Sequence, residues 1–255
     1  MTPPDRPLAG LGALVTGGSR GIGAAVARRL ARDGAAVALT FVEHERAAAD
    51  VVAAIGADGG TARAFRLDVA DPAGFGPVVG AAQAFYAEAG ARGLGVLVAD
   101  AGIAAHQPLA AVDVATWDRV MPVNARGVLL AVQHAAARMV DGGRIVAVST
   151  VGTAWPSPGE TVYAASKAAV EQIVRVASRE LGGRGITVNT VSAGPTDTDL
   201  LRAGAPPEAL AGAAALTALG RIGEPRDVAD VVGLLCRPEA GWLTGANLRA
   251  DGGLT

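Results

Sequence analysis

Short runs of apolar, β-prone residues alternate with longer Ala-rich stretches along almost the whole chain. The short runs fall at 13–16, 36–41, 62–67, 95–99, 144–149, 187–191 and 247–249, and each is expected to be a strand. Most are near-continuous apolar stretches without polar alternation, as strands covered on both faces by helices require. The intervening segments 23–32, 47–55 and 164–181 carry apolar residues at helical spacing. Such alternation predicts an α/β fold: a doubly wound parallel sheet of about seven strands with right-handed crossovers. No linker or repeat divides the chain, so 1–255 is expected to be a single domain. Segment 195–225 breaks the rhythm, being far longer than an ordinary strand-to-helix connection. It leaves the carboxyl end of a strand, where α/β folds bind ligands, and it predicts a substrate lid. Within it, 207–216 is expected to be a short helix with its proline at the first position.

Composition narrows the class. The chain is 51% hydrophobic, enough for a large core, but only 4% aromatic, so Ala, Val and Leu must fill that core. A formal charge of -2 without a basic run argues against a nucleic-acid surface. The single cysteine, Cys236, lies in an apolar stretch and reads as a small buried hydrophobe. Residues 1–10 hold three prolines and no apolar core of signal-peptide length, and no uncharged apolar run reaches membrane-spanning length. A cytoplasmic location follows as the expectation, with no membrane partner and no bound metal.

The first chemical signal lies between the first strand and the first helix, in Leu14-Val15-Thr16-Gly17-Gly18-Ser19-Arg20-Gly21-Ile22-Gly23. Glycines there let the backbone approach a diphosphate, and the helix N-terminus offers free N–H groups with a favourable dipole. Other motifs follow in order: Leu67-Asp68-Val69, Ala99-Asp100-Ala101-Gly102, Val123-Asn124-Ala125, Tyr163-Ala164-Ala165-Ser166-Lys167 and Val188-Asn189-Thr190-Val191-Ser192-Ala193-Gly194-Pro195. The ordered set resembles the short-chain dehydrogenase/reductase family, and within it the 3-oxoacyl-ACP-reductase-like or ketoreductase-like members. The likeness covers nearly the whole chain and implies a single Rossmann-type domain. By that resemblance Gly17, Ser19, Arg20, Gly21, Ile22 and Gly23 hold the cofactor phosphates, and Asp68 and Val69 meet the adenine. Asp100, Ala101, Gly102, Gly194, Thr196 and Thr198 then line the remaining cofactor, and Tyr163 and Lys167 meet its nicotinamide end.

Tyr163 and Lys167 are four residues apart near a helix start, so both project from one face. A free phenol has a pKa of about 10, and a nearby ammonium is expected to lower it by roughly 1–3 units. The pair then acts as a general acid/base. In the family a serine stands 13 residues before the tyrosine; here that position is Thr150, with Ser149 one residue earlier as the alternative. Neighbouring strand residues face opposite ways, so the two are not interchangeable. The family's further catalytic residue matches Asn124, which follows Pro122, a residue expected to end one helix and begin another.

Three positions depart from the family pattern: Ala99-Asp100 replaces two asparagines, Gly95 stands where Asp is frequent, and Ala193 replaces a proline. An ionised Asp only accepts hydrogen bonds, whereas Asn also donates. An NAD site usually has a carboxylate at the end of the second strand. That position is Phe41, while Arg20 is suited to a 2′-phosphate, with His44 or Arg46 assisting. NADP(H) is therefore favoured, and Glu43 keeps NAD(H) open.

The resemblance implies reduction of a ketone or other carbonyl on a small or polyketide-like molecule, or the reverse oxidation. The alternative is a cofactor-binding relative with weak or lost turnover, which Asp100 and Thr150 leave open. An extended-family epimerase is disfavoured by the short C-terminal region. Val170, Ile173, Val174 and Ala177, with the helix expected at 227–236, look too apolar for a single buried stripe. Family members pair such helices across two-fold axes, so a homotetramer is expected, with a dimer as the alternative.

Overall fold

The computed structural model describes residues 6–204 and 206–255; residues 1–5 of the N-terminal stretch and Ala205 of the lid segment lie outside the described residues. The seven runs are β1 (Gly12–Thr16), β2 (Ala36–Phe41), β3 (Thr61–Arg66), β4 (Leu94–Ala99), β5 (Arg144–Thr150), β6 (Thr187–Ala193) and β7 (Asn247–Ala250). They form one sheet in the order β3-β2-β1-β4-β5-β6-β7, and every pairing is parallel. The order reverses between β1 and β4, which opens a crevice beyond their carboxyl ends. β1 and β4 are buried at every position, as their unbroken apolar sequences require. The edge strand β3 instead has no buried position and leaves Thr61, Arg63 and Arg66 exposed. Gly95 has a local cause: a side chain there would lie 2.8 Å from Leu11 Cδ2, and the β1–β4 register shifts beside it.

The helices are α1 (Gly21–Arg32), α2 (Glu45–Ala57), α3 (Phe75–Glu88), α4 (Val114–Met121), α5 (Gly127–Ala136), α6 (Thr161–Leu181), α7 (Asp199–Gly204), α8 (Pro207–Leu216) and α9 (Pro225–Cys236). One core joins α1, α2 and α9 to the sheet through Val26, Leu30, Val51, Ile55, Val232 and Leu235. The other joins α3, α5 and α6 through Phe75, Phe85, Val128, Val132, Val170 and Val174. Each such Leu, Val or Phe contributes about 1.5–3 kcal/mol by leaving water. Cys236 belongs to the first core, and burial pushes its thiol up to about 12, so it is an inert packing group.

Two expectations need correction. α4 ends at Met121 and a new helical element opens on Pro122, but without the expected break: a five-residue π-helical segment, Pro122–Arg126, runs directly into α5. The wider turn accommodates the proline without a break. Val170 and Val174, counted with the surplus apolar surface of α6, are fully buried in the sheet-facing core. The expected helix at 207–216 is present as α8, whereas α7 was not legible as a helix. Hydrogen bonds from Gly223 N to Pro195 O and from Asp197 N to Gly223 O, both 2.8 Å, close the base of this excursion. Among the described residues no helix is long and apolar enough to cross a membrane.

Candidate active site

The crevice begins at the glycine turn. Gly17 has φ +71°, and a Cβ there would lie 2.8 Å from Ala101 Cα. A Cβ on Gly23 would lie 2.4 Å from Gly17 O and 2.7 Å from Asp100 Oδ2. Bare backbone is therefore obligatory at both positions, and β1, β4 and α1 close tightly behind the turn. Thr16 Oγ1 accepts the backbone N–H groups of Asp100 (3.2 Å) and Ala101 (3.3 Å), tying the two strand ends together. α1 has no acidic residue in its first turn, and its N-cap residue, Arg20, makes no side-chain cap. The turn thus keeps the backbone donors and helix dipole that a diphosphate needs, and these residues fit a dinucleotide.

The other predicted contacts surround this turn. Ser19 and Ile22 are half-buried, Ile22 against the first core. Thr198 crosses over from the segment after β6, its Cγ2 only 3.2 Å from where a Cβ on Gly21 would sit. Thr196 is buried, and its hydroxyl donates to Gly194 O at 2.9 Å. Phe41 packs half-buried at the end of β2, whereas Glu43, His44 and Arg46 are exposed beyond it. Arg20 is exposed and pairs with Asp199 of α7 at 3.1 Å. Asp68 accepts the Ala70 N–H at 2.8 Å, capping its own turn. The Val69 side chain is buried against Gly127, so only its backbone remains for a ligand.

Tyr163 and Lys167 lie on the first turns of α6. Lys167 is buried and donates from Nζ to Val148 O at 2.9 Å, with the ammonium 6.0 Å from the Tyr163 ring centre. A Cβ on Gly102 would stand 3.3 Å from both Lys167 Nζ and Asn124 Oδ1, which brings β4, α6 and the π-helical segment to one point. Asn124 is fully buried; its amide accepts Ile103 N–H at 2.8 Å and donates to Ile103 O at 2.9 Å and Ser166 Oγ at 3.0 Å. It therefore pins the loop after β4 to α6 rather than repairing its own helix.

The structure separates the two hydroxyls at the end of β5. Ser149 is buried and donates to Glu171 Oε1 at 2.9 Å. Thr150 accepts the Gly152 N–H at 3.1 Å and lies within hydrogen-bonding reach of the Tyr163 phenol. Its proton is thus available to the Tyr163 oxygen or, in its place, to a substrate oxygen set beside it. Glu171 was missed in the sequence, although it continues the Tyr163, Lys167 spacing by one more turn. Glu160 and His106 were missed as well; Glu160 acts electrostatically on Tyr163.

The expected depression of the phenol does not occur. Burial pushes Tyr163 up to about 12, the Glu160 and Asp100 charges add to this, and the Thr150 hydroxyl opposes it. Lys167 is pulled below the usual ammonium range by burial, with Asp100 restoring part of the loss. Asp100 in turn is pushed up to about 6 by burial, against the pull of Lys167 and the Gly23 N–H. Asp100 thus acts on both members of the pair, favouring the charged lysine and disfavouring the phenolate.

A family model described as enoyl-(acyl carrier protein) reductase matches residues 17–255. An uncharacterized oxidoreductase of Methylorubrum extorquens is 39% identical over 249 residues, covering 97% of this chain and 98% of that protein. A dehydrogenase/reductase structure from Sinorhizobium meliloti is similar with a TM-score of 0.92 at 42% identity, covering 98% of this chain and 97% of the other. A short-chain dehydrogenase of Burkholderia cenocepacia, solved in complex with NADP, gives 0.90 at 40% identity over 97% and 99% of the two chains. With these likenesses running the length of the fold and through the glycine turn, the chain belongs to the short-chain dehydrogenase/reductase family of NAD(P)-dependent oxidoreductases.

Proposed function

We propose that the protein uses NADPH to reduce a ketone to an alcohol, or runs the reverse oxidation, with Tyr163 as the proton donor. The convergence of Thr150, Tyr163, Lys167 and Asn124 at the carboxyl end of the sheet carries this reading. When bound, the reduced nicotinamide supplies the hydride. Thr150 donates a hydrogen bond to the carbonyl oxygen and fixes it beside Tyr163. Tyr163 passes its proton to that oxygen as negative charge develops there. Lys167 balances the charge left on the phenol and, as in the family, holds the nicotinamide ribose. Asn124 keeps Ile103 and Ser166 in place around the lysine. A phenol pushed up to about 12 stays protonated near neutrality, which suits the reducing direction.

Arg20 and Phe41 support a preference for NADP(H): one offers a guanidinium for the 2′-phosphate, the other offers no acceptor for a free 2′-hydroxyl. The NADP held by the Burkholderia relative supports the same choice. Segment 195–225 serves as the substrate lid of a single domain spanning 1–255, in a cytoplasmic homotetramer or, as the alternative, a dimer. A second reading, a cofactor-binding protein with weak turnover, is favoured by one observation, the Asp100 carboxylate that acts on both Lys167 and Tyr163.

The test follows absorbance of NADPH, and of NADH in parallel, across a panel of ketones. Wild type is expected to oxidise NADPH faster than NADH. Tyr163→Phe should lower turnover by roughly 10²–10⁴-fold while still binding NADPH. Wild-type turnover in that variant would remove Tyr163 from the reaction, and no turnover by wild type on any ketone would leave the second reading.

A further inference from the structure

Resting on the reductase reading above, we propose that Glu160 is a specificity-determining residue of the catalytic pocket, selecting ketones that carry a protonated amine beside the reacting carbonyl. The carboxylate lies next to the proposed chemistry. The point where a Cβ on Gly152 would stand is 3.2 Å from Glu160 Oε2 and 3.5 Å from Thr150 Oγ1. Glu160 and the hydroxyl that fixes the carbonyl thus flank the same glycine. On the other side Glu160 is close enough to Tyr163 for its charge to act on the phenol.

Among the described residues no hydrogen-bond donor satisfies this carboxylate, and His106 acts on it only through its charge. Glu160 occupies the N-cap position of α6, yet its side chain makes no capping hydrogen bond. Among the described residues it has neither a hydrogen bond nor an ion pair through its side chain. It is nevertheless half-buried, and burial raises its carboxyl above the usual range while His106 acts in the opposite sense. A half-buried acid without a hydrogen-bond partner costs desolvation energy that a ligand donor recovers on binding.

The wall behind Glu160 is held in place. Gln107 N donates to Gly159 O at 2.8 Å, joining the loop after β4 to the loop before α6. The His106 ring lies against Gly159, whose φ is +89° and where any Cβ would come within 2.5 Å of the ring. Glu160 is therefore presented from a clamped loop, with its carboxylate towards Gly152. An ammonium at hydrogen-bond distance from Glu160, with the carbonyl oxygen on Thr150, places the amine roughly two or three bonds from the reacting carbon. The matching substrates are α- and β-amino ketones and the corresponding amino alcohols.

The test uses an isosteric pair, 2-amino-1-phenylethanone and propiophenone, in which an ammonium replaces a methyl group. Wild type should favour the amino ketone in kcat/KM by about tenfold or more. Glu160→Gln should abolish that preference, mainly through the KM of the amino ketone; because the same charge also acts on Tyr163, the readout is the ratio of the two ketones' kcat/KM within each enzyme. Calorimetric binding of 2-amino-1-phenylethanol and 1-phenylpropan-1-ol to the enzyme–NADP complex gives the same comparison without turnover. Binding favouring the amino alcohol in wild type and lost in Glu160→Gln supports the proposal even if no ketone is reduced, an outcome that overturns only the reductase reading. Ketone reduction without an ammonium preference overturns the proposal alone, as does an equal loss for both ketones in the variant.

Discussion

Asp100 sits at the end of β4 with its carboxylate against the Gly23 N–H, and it exchanges charge effects with both Lys167 and Tyr163. Its negative charge raises the phenol, so removing that charge must lower it. Asp100→Asn is therefore expected to move the alkaline limb of alcohol oxidation to lower pH, by about one unit or less for a charge screened at an effective protein dielectric. Below about pH 6 the wild-type carboxyl is itself protonated, so the two pH–rate profiles should converge there. Coincident profiles across the alkaline range would mean that Asp100 has no electrical connection to Tyr163. Its identity was legible as a departure from the family pattern, but its consequence was not, because nothing in the chain placed Lys167 between an acid and a phenol. Thr150 was assignable over Ser149 because the family resemblance places a hydroxyl 13 residues before Tyr163, and strand alternation keeps the two from exchanging roles. The contact that occupies Ser149 comes from Glu171 on another element. Glu160 escaped the sequence reading for a similar reason: its place beside Thr150 depends on the loop before α6 folding back over Gly152.

α6 shows how one element both builds the site and fastens it. Tyr163, Lys167 and Glu171 recur every four residues, so one stripe of the helix meets β5 and β6. Glu171 Oε1 takes hydrogen bonds from Ser149 at 2.9 Å and Thr153 at 2.7 Å, and Glu171 Oε2 lies 3.8 Å from Arg175. Ser192 is 3.5 Å from the same carboxylate and donates more closely to Asn247 Oδ1, at 2.8 Å. Glu171→Ala leaves the Ser149 and Thr153 hydroxyls without this acceptor and is expected to cost about 2–4 kcal/mol. For a chain of this size that lowers Tm by roughly 5–15 °C, read by circular dichroism during heating. Glu171→Gln keeps an acceptor oxygen and should lose about half as much; an Ala variant melting with wild type would show that the hydroxyls find other partners. Elements were legible where their apolar period was clean, as in β1, β4 and α6. They were less so where tertiary context decides: β5 and β6 run on to Thr150 and Ala193, and a π-helical segment opening on Pro122 joins α4 to α5. The short α7, held near the glycine turn by the Arg20–Asp199 pair, has too few residues to show a period.

At the scale of the whole molecule, both faces of the sheet are already covered by the chain's own helices, so any unburied apolar surface lies on the outer helix faces. The sequence placed that surplus on α6 and α9, but most of it is internal. Val170 and Val174 face the sheet, and Val228, Val232 and Leu235 of α9 pack into the core that α1 shares. What remains outside is a different set. Trp117, Leu129 and Val176, each between 46% and 48% exposed, lie on α4, α5 and α6, and a groove of about 350 Å³ runs between Trp117, Met121, Leu129 and Ile173. A second exposed set lies at the end of α9 and in the segment after it: Leu234, Leu243 and the almost fully exposed Trp242. Single exposed apolar residues need no explanation, but two separate sets that include tryptophans fit surfaces that become covered. A two-fold contact through one patch makes a dimer, and independent two-fold contacts through both make a closed tetramer. Light scattering at micromolar concentration is therefore expected to give four times the chain mass of 25.3 kDa. Leu129→Glu and Trp242→Glu, each burying a charge in one contact, should each reduce the assembly to dimers, and the double variant should reduce it to monomers. A wild-type mass of 25.3 kDa would refute both contacts, and a tetramer unaffected by either charge would place its interfaces elsewhere.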